Sequence, residues 1–236
     1  MAKFCTKCGK PLEEGKPCEC SNVIKTTANN LFSECLEIVK SFLKKPIDTL
    51  EENIDDSKFN SSLILIGINA IAVGLFVLVL VKELLGSMMG LMMGFSSYGS
   101  MIGLGTTAQM NIPYVKYFFI AFVVAIIVTL LIALCSYLLA EKVFKGNTTI
   151  KKMVTLFGFS SIISTVSLIA AAILSFVNIT IGMLVYVAGS LLNTYYNYKG
   201  LEFACNVDRN KLGYVLMPSI LAVSLVVGYL LPKIMM

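Results

Sequence analysis

Histidine is absent from this chain of 236 residues, and charge is scarce, with Asp, Glu, Lys and Arg together making up 14%. Without an imidazole, a metal site must be built from thiolates or carboxylates. No nucleophile–base arrangement or phosphate-binding glycine loop is present either. Soluble domains carry roughly 25% charged residues, so water is excluded as the main solvent for this chain. Its 57% hydrophobic content and mean hydropathy of +0.82 say the same.

The little charge present is crowded to one end. Nine of the nineteen basic and ten of the fourteen acidic residues precede position 59. Three parts follow: a soluble head (1–22), an amphipathic lead-in (23–59) and a membrane part (60–236). The net charge of +5 lies almost wholly in the membrane part, which excludes nucleic acid as the partner it implies and points to Lys- and Arg-rich inner loops. No secretory signal precedes the first apolar run, near residue 62, so the head is expected to stay in the reducing cytosol. Cysteine pairs there bind metal more often than they form disulfides.

Five apolar runs, charged only at Lys116 near one end of the second, reach the length needed to cross a hydrocarbon core of about 30 Å: 61–81, 114–140, 153–176, 179–198 and 212–232. In lipid the backbone must satisfy its own hydrogen bonds, so all five are predicted as helices. Between the second and third runs stand Lys142, Lys145, Lys151 and Lys152; between the fourth and fifth, Lys199, Arg209 and Lys211. Segment 86–113 and the turn between the third and fourth runs carry no charge. This alternation predicts a multi-pass cell-membrane protein with a cytoplasmic N-terminus and an extracytoplasmic C-terminus. The uncharged Gly- and Met-rich segment 86–113 is expected to be re-entrant or interfacial on the outer side, because a sixth span would turn both basic loops outward.

In the lead-in, Leu31, Phe32, Cys35, Leu36, Val39, Phe42 and Leu43 recur at helical spacing opposite Glu34, Glu37, Lys40 and Lys44. Pro46 breaks the pattern, and Ile47, Leu50 and Ile54 begin a second amphipathic turn. Such helices either lie on the inner leaflet, with Lys40, Lys44 and Lys45 at anionic headgroups, or fold onto the cytoplasmic loops.

The chemistry-bearing motif is FCTKCGKPLEEGKPCECS. Cys5-x-x-Cys8-Gly9 has the form of a zinc knuckle, and Cys18 and Cys20 complete a tetrahedral four-thiolate set. The second pair is C-x-C where ribbons more often have C-x-x-C. An iron site and a redox pair are the competing readings; zinc is the cofactor expected, in a structural role. Four protein ligands leave no open position for water, so hydrolytic metal chemistry is excluded and the ion's task is folding. Cys35, Cys135 and Cys205 read as packing residues, with palmitoylation an alternative for Cys35 and Cys205.

Gly86, Gly90 and Gly94 stack on one helical face and favour close helix packing, as do Ser160 and Ser164 in the hydroxyl-rich third run. Met88, Met89, Met92 and Met93 are either an outward thioether site for Cu(I) or an apolar filler. The spans hold no Asp, Glu or Arg away from their ends, which excludes the usual proton relay or charged transport site. Asn69, Asn193, Asn197 and the third-run hydroxyls are the interior polar set, and Tyr195, Tyr196 and Tyr198 form an inner aromatic belt.

The cytoplasmic cysteine head, the lead-in SFLKKPIDTLEENI and the five-span pattern together resemble the bacterial branch of the Yip (Ypt-interacting protein) family, in which a zinc ribbon precedes five helices. GYVLMP at Gly213–Pro218 is similar to a Gly-Tyr…Pro signature of eukaryotic members but precedes the fifth span rather than the third. The eukaryotic Asp-Leu-x-Gly-Pro motif is missing. The resemblance implies an all-α integral membrane protein of five transmembrane helices with a small N-terminal zinc ribbon, acting as a membrane adaptor or organiser.

The leading expectation is therefore a non-enzymatic membrane protein whose zinc-stabilised knob docks a cytoplasmic protein, while the spans anchor it in the bilayer and support a homo-oligomer. The alternative is a transporter or channel for a neutral or lipidic substrate, lined by Asn69, Asn193 and the third-run hydroxyls. A metal-responsive membrane protein is a third reading.

Overall fold

The computed structural model describes the backbone of residues 3–4, 11–12, 20–99 and 113–235, and the side chains of 31–83, 113–230 and 233. Near the N-terminus, β1 (Lys3–Phe4) and β2 (Pro11–Leu12) pair antiparallel, Lys3 opposite Leu12 and Phe4 opposite Pro11. The rest of the described chain is helical: α1 (Cys20–Lys44), α2 (Pro46–Asn53), α3 (Phe59–Gly99), α4 (Tyr114–Leu138), α5 (Ile150–Ser175), α6 (Ile179–Ala204) and α7 (Leu212–Met235).

Local sequence sets the breaks. Pro46 lacks an amide hydrogen and disfavours helix in the residue before it. Lys45 accordingly leaves the helical conformation, and α2 starts with the proline at its first position. Thr149 caps α5 by accepting from the Lys152 amide, and Asn178 caps α6 by accepting from Thr180 and Ile181. The last turn of α4 widens into a π-helical turn over Leu139–Val143.

Five helices are long and apolar enough to cross a membrane: Asp56–Glu83, Tyr114–Val143, Ile150–Ser175, Ile179–Ala204 and Arg209–Leu230. Of these, α5 is the most buried and α4 the least. The fold is built around α5. On one side α3 runs parallel to it in constant register, Ser62 facing Gly158, Asn69 facing Thr165, and Ala72 and Phe76 packing with Leu168 and Ala171. Against an adjoining face of α5, α6 runs antiparallel, so that Leu156 meets Gly200, Ser160 meets Asn197, Ser167 meets Gly189 and Ser175 meets Gly182.

These approaches depend on glycine. A Cβ on Gly158 would stand 2.6 Å from the Ser62 Cβ and 2.7 Å from its carbonyl oxygen. In lipid no hydrophobic force drives helices together, so backbone proximity and the packing it permits carry the association.

Of segment 86–113, expected to be re-entrant or interfacial, the described backbone reaches Gly99. The chain does not turn back after the first span; α3 continues through Gly99 without a break, 41 residues in all. No proline or charged residue follows Glu83 within it. Each glycine there costs about 1 kcal/mol relative to alanine, too little to stop a helix already propagating. At 1.5 Å per residue α3 is about 60 Å long, twice the hydrocarbon thickness. Residues 100–112 lie outside the described residues.

Candidate functional site

The lead-in is part of the bundle. Phe42 and Leu50 are fully buried, and with Ile38 and Ile54 they join Leu156, Leu201, Leu212, Val215 and Leu216 in the main core. This core closes one end of the molecule, where α1 and α2 meet the start of α3, the start of α5 and the end of α6. Polar contacts lock the junction. Lys58 and Ser61 both donate to the Glu34 carboxylate. Thr149 donates to the Asp56 carboxylate, and Thr155 to the Asp55 carbonyl. Across the same end Thr148 donates to the Ala204 carbonyl at 2.8 Å.

All seven basic loop residues predicted for one side of the membrane belong to connections at this end, between α4 and α5 or at the end of α6 and the start of α7. At the far end Lys82 lies 5.8 Å from the Phe176 ring centroid.

The helical face read as a single apolar stripe on α1 divides in two. Cys35, Ile38 and Phe42 are buried, whereas Phe32, Leu36 and Leu43 are exposed. Lys40, Lys44 and Lys45 are exposed too. Lys45 pairs with Asp48 at 3.7 Å, and both of those side chains are largely in solvent. Phe42 meets the Tyr196 ring edge-on at 5.6 Å, and Tyr195 packs on Tyr196 in turn.

Along α5 the interior polar groups pair between helices. Thr165 donates to the Asn69 side-chain oxygen at 3.2 Å and Ser160 donates to that of Asn197. Ser160 is thus engaged inside the protomer, and Ser164 is half-buried beside it. Asn193 behaves differently: its side-chain oxygen is buried with no hydrogen-bond partner. The glycines that set the helix approaches, Gly158, Gly182, Gly189 and Gly200, escaped the sequence reading. The signal was available, since Gly182, Gly189 and Gly200 fall seven and eleven residues apart, on one face of a 3.6-residue helix.

Two predicted sets lie outside the described side chains. Of Cys5, Cys8, Cys18 and Cys20, the structure describes only that Cys20 is the first residue of α1. Gly86, Gly90 and Gly94, with the four methionines between them, belong to the backbone of α3. The palmitoylation alternative for Cys35 and Cys205 is overturned, because both are buried. Their thiols face main-chain carbonyls, Ser61 at 3.7 Å and Leu201 at 3.0 Å. Burial raises both pKa values, that of Cys205 to about 11.

Five apolar helices closed at one end by an amphipathic lead-in define a multi-span helical membrane protein. Within that class the chain belongs to the Yip1 domain family, whose family model matches residues 40–231, from the last turns of α1 to the last turns of α7. No curated protein and no solved structure matches it.

Proposed function

We propose that this Yip-family protein is a non-enzymatic membrane adaptor that presents a zinc-stabilised docking knob at the cytoplasmic surface. The observation that carries this reading is the mechanical link between head and bundle. An unbroken helix begins at Cys20 and ends with Phe42 fully buried in the bundle core. A head that served only to cap the chain would need no such mounting.

Zinc fits the residues present. The antiparallel strands β1 and β2 flank Cys5 and Cys8 in sequence, and the C-x-x-C spacing is that of a zinc knuckle. Cys18 and Cys20 would supply the remaining thiolates. When bound, the ion supplies folding free energy to a segment too small to hold a core of its own. The gathering of the basic loops at the lead-in end supports a cytoplasmic N-terminus.

The pairing of Asn69 with Thr165 and of Ser160 with Asn197 favours this reading over transport. Groups that would line a path for a neutral substrate instead clamp α5 to its neighbours. The test is crosslinking capture from native membranes by the full chain and by a Cys5→Ser/Cys8→Ser variant, with bound zinc quantified in both. A partner lost together with stoichiometric zinc, while membrane insertion is unchanged, is the expected outcome. An unchanged partner set would reduce the head to a cap and overturn the proposal.

A further inference from the structure

The second apolar face of α1 has no partner within the described residues. Phe32, Leu36 and Leu43 are 58%, 45% and 54% exposed, and their spacing of four and seven puts them in one row along the helix. Lys40 and Lys44 flank the row on one side, and Lys45 stands at its end. The opposite flank is the buried face of Cys35, Ile38 and Phe42.

Two contacts fix the depth and direction of this helix. Cys35 touches Ser61, at the start of α3, and Phe42 touches Tyr196, in the last third of α6. Both helices pack on α5, and the two contacts lie at nearly the same level of it at the basic end, Ser61 beside the Ser62 that faces Gly158 and Tyr196 beside the Asn197 that meets Ser160. The described part of α1 therefore runs across the end of the bundle, in the membrane plane. Tyr195 and Tyr196 mark the aromatic belt, the depth at which headgroups meet acyl chains. With Phe42 edge-on against that belt, the exposed row lies at interfacial depth and not out in the cytosol.

We propose that this row is an in-plane anchor for the lipid leaflet at the basic end. Phe32, Leu36 and Leu43 seat at the headgroup–acyl boundary, and Lys40, Lys44 and Lys45 meet anionic phospholipid headgroups. The arrangement is that of interfacial amphipathic helices: an apolar row bordered by lysines whose stems lie along it. Of the nearby acids, Glu51 and Glu52 are exposed on α2, Asp48 lies 3.7 Å from Lys45, and Glu37, seven residues before Lys44, shares the lysine rim. The anchor stands independently of any docking by the head.

The chain has no tryptophan, so one substitution gives a clean probe of depth. The full chain carrying Leu36→Trp or, separately, Leu43→Trp is reconstituted in vesicles of mixed zwitterionic and anionic phospholipid, with or without brominated acyl chains. Glu51→Trp on α2 is the reference. Both leucine variants should emit blue-shifted light and lose intensity to brominated lipid, while the reference loses intensity to aqueous acrylamide. All three positions are exposed, so the core is untouched. Omitting anionic lipid, or adding Lys40→Gln, Lys44→Gln and Lys45→Gln, should weaken the bromine quenching, with about a fivefold drop in local partition per lysine. Acrylamide quenching of the leucine variants with no response to bromine would overturn the anchor. So would shielding from both quenchers, which would mean that protein covers the row. Bromine quenching that ignores lipid charge and the lysine changes would overturn the headgroup contacts.

Discussion

A single methyl group is the sharpest probe of how these helices meet. At Gly158 it would collide with Ser62 main-chain atoms, and backbone cannot swing aside as a flexible side chain can. Gly158→Ala should therefore lower stability by about 1–3 kcal/mol, the usual cost of overpacking, read from unfolding of the detergent-solubilised protein. Gly213→Ala is the matched control: nothing lies within 4 Å of its added Cβ, so stability should hold or rise slightly through helix propensity. Glu34 offers a prediction in pH. The Lys58 hydrogen bond, with help from Ser61, holds its carboxyl below the ordinary 4.5. A depressed folded pKa means stabilisation that is present above 4.5 and lost as pH falls through the lowered value. Hydrogen exchange in α1 should accelerate over that acid range, and Glu34→Gln should abolish the acceleration while raising exchange at neutral pH. Cys35 and Cys205, buried and raised in pKa, should resist maleimide in the folded protein and react once it is denatured.

Among the elements, α5 is the one whose polar residues can be weighed. Ser160 and Asn197 join it to α6, and a double-mutant cycle with Ser160→Ala and Asn197→Ala should give a coupling of about 0.6 kcal/mol, at most about 1.7. Asn193→Leu, by contrast, removes a buried oxygen that has no partner and should be neutral or stabilising. The same elements mark what can be read from a sequence. The apolar runs at 114–140 and 153–176 correspond closely to Tyr114–Leu138 and Ile150–Ser175, because run length alone specifies a span. The run at 179–198 stops six residues short of the end of α6 at Ala204. There Leu201 and Ala204 are buried in the main core, and burial in protein tolerates the charges of Lys199 and Glu202 that close a hydropathy window. The two faces of α1 were illegible for a related reason. Periodicity shows that Phe32 and Cys35 are both on the apolar side, but only a neighbour decides which of them it covers. The approach of Gly158 to Ser62 joins residues 96 apart in sequence, and neither residue announces the other.

At the scale of the whole molecule, the bundle is open on its lipid side and closed at its basic end. The helix that links bundle to head gives that end its character. From Cys20, the first residue of α1, to Leu31 is a helical rise of about 16 Å, with no proline and no glycine between them. This is a stiff arm and not a leash. A flexible linker would let a captured partner sample a hemisphere of positions, at an effective concentration that falls with linker length. A stiff arm that continues the in-plane course of residues 31–44 would instead set the head beside the bundle, along the leaflet surface and in a single attitude.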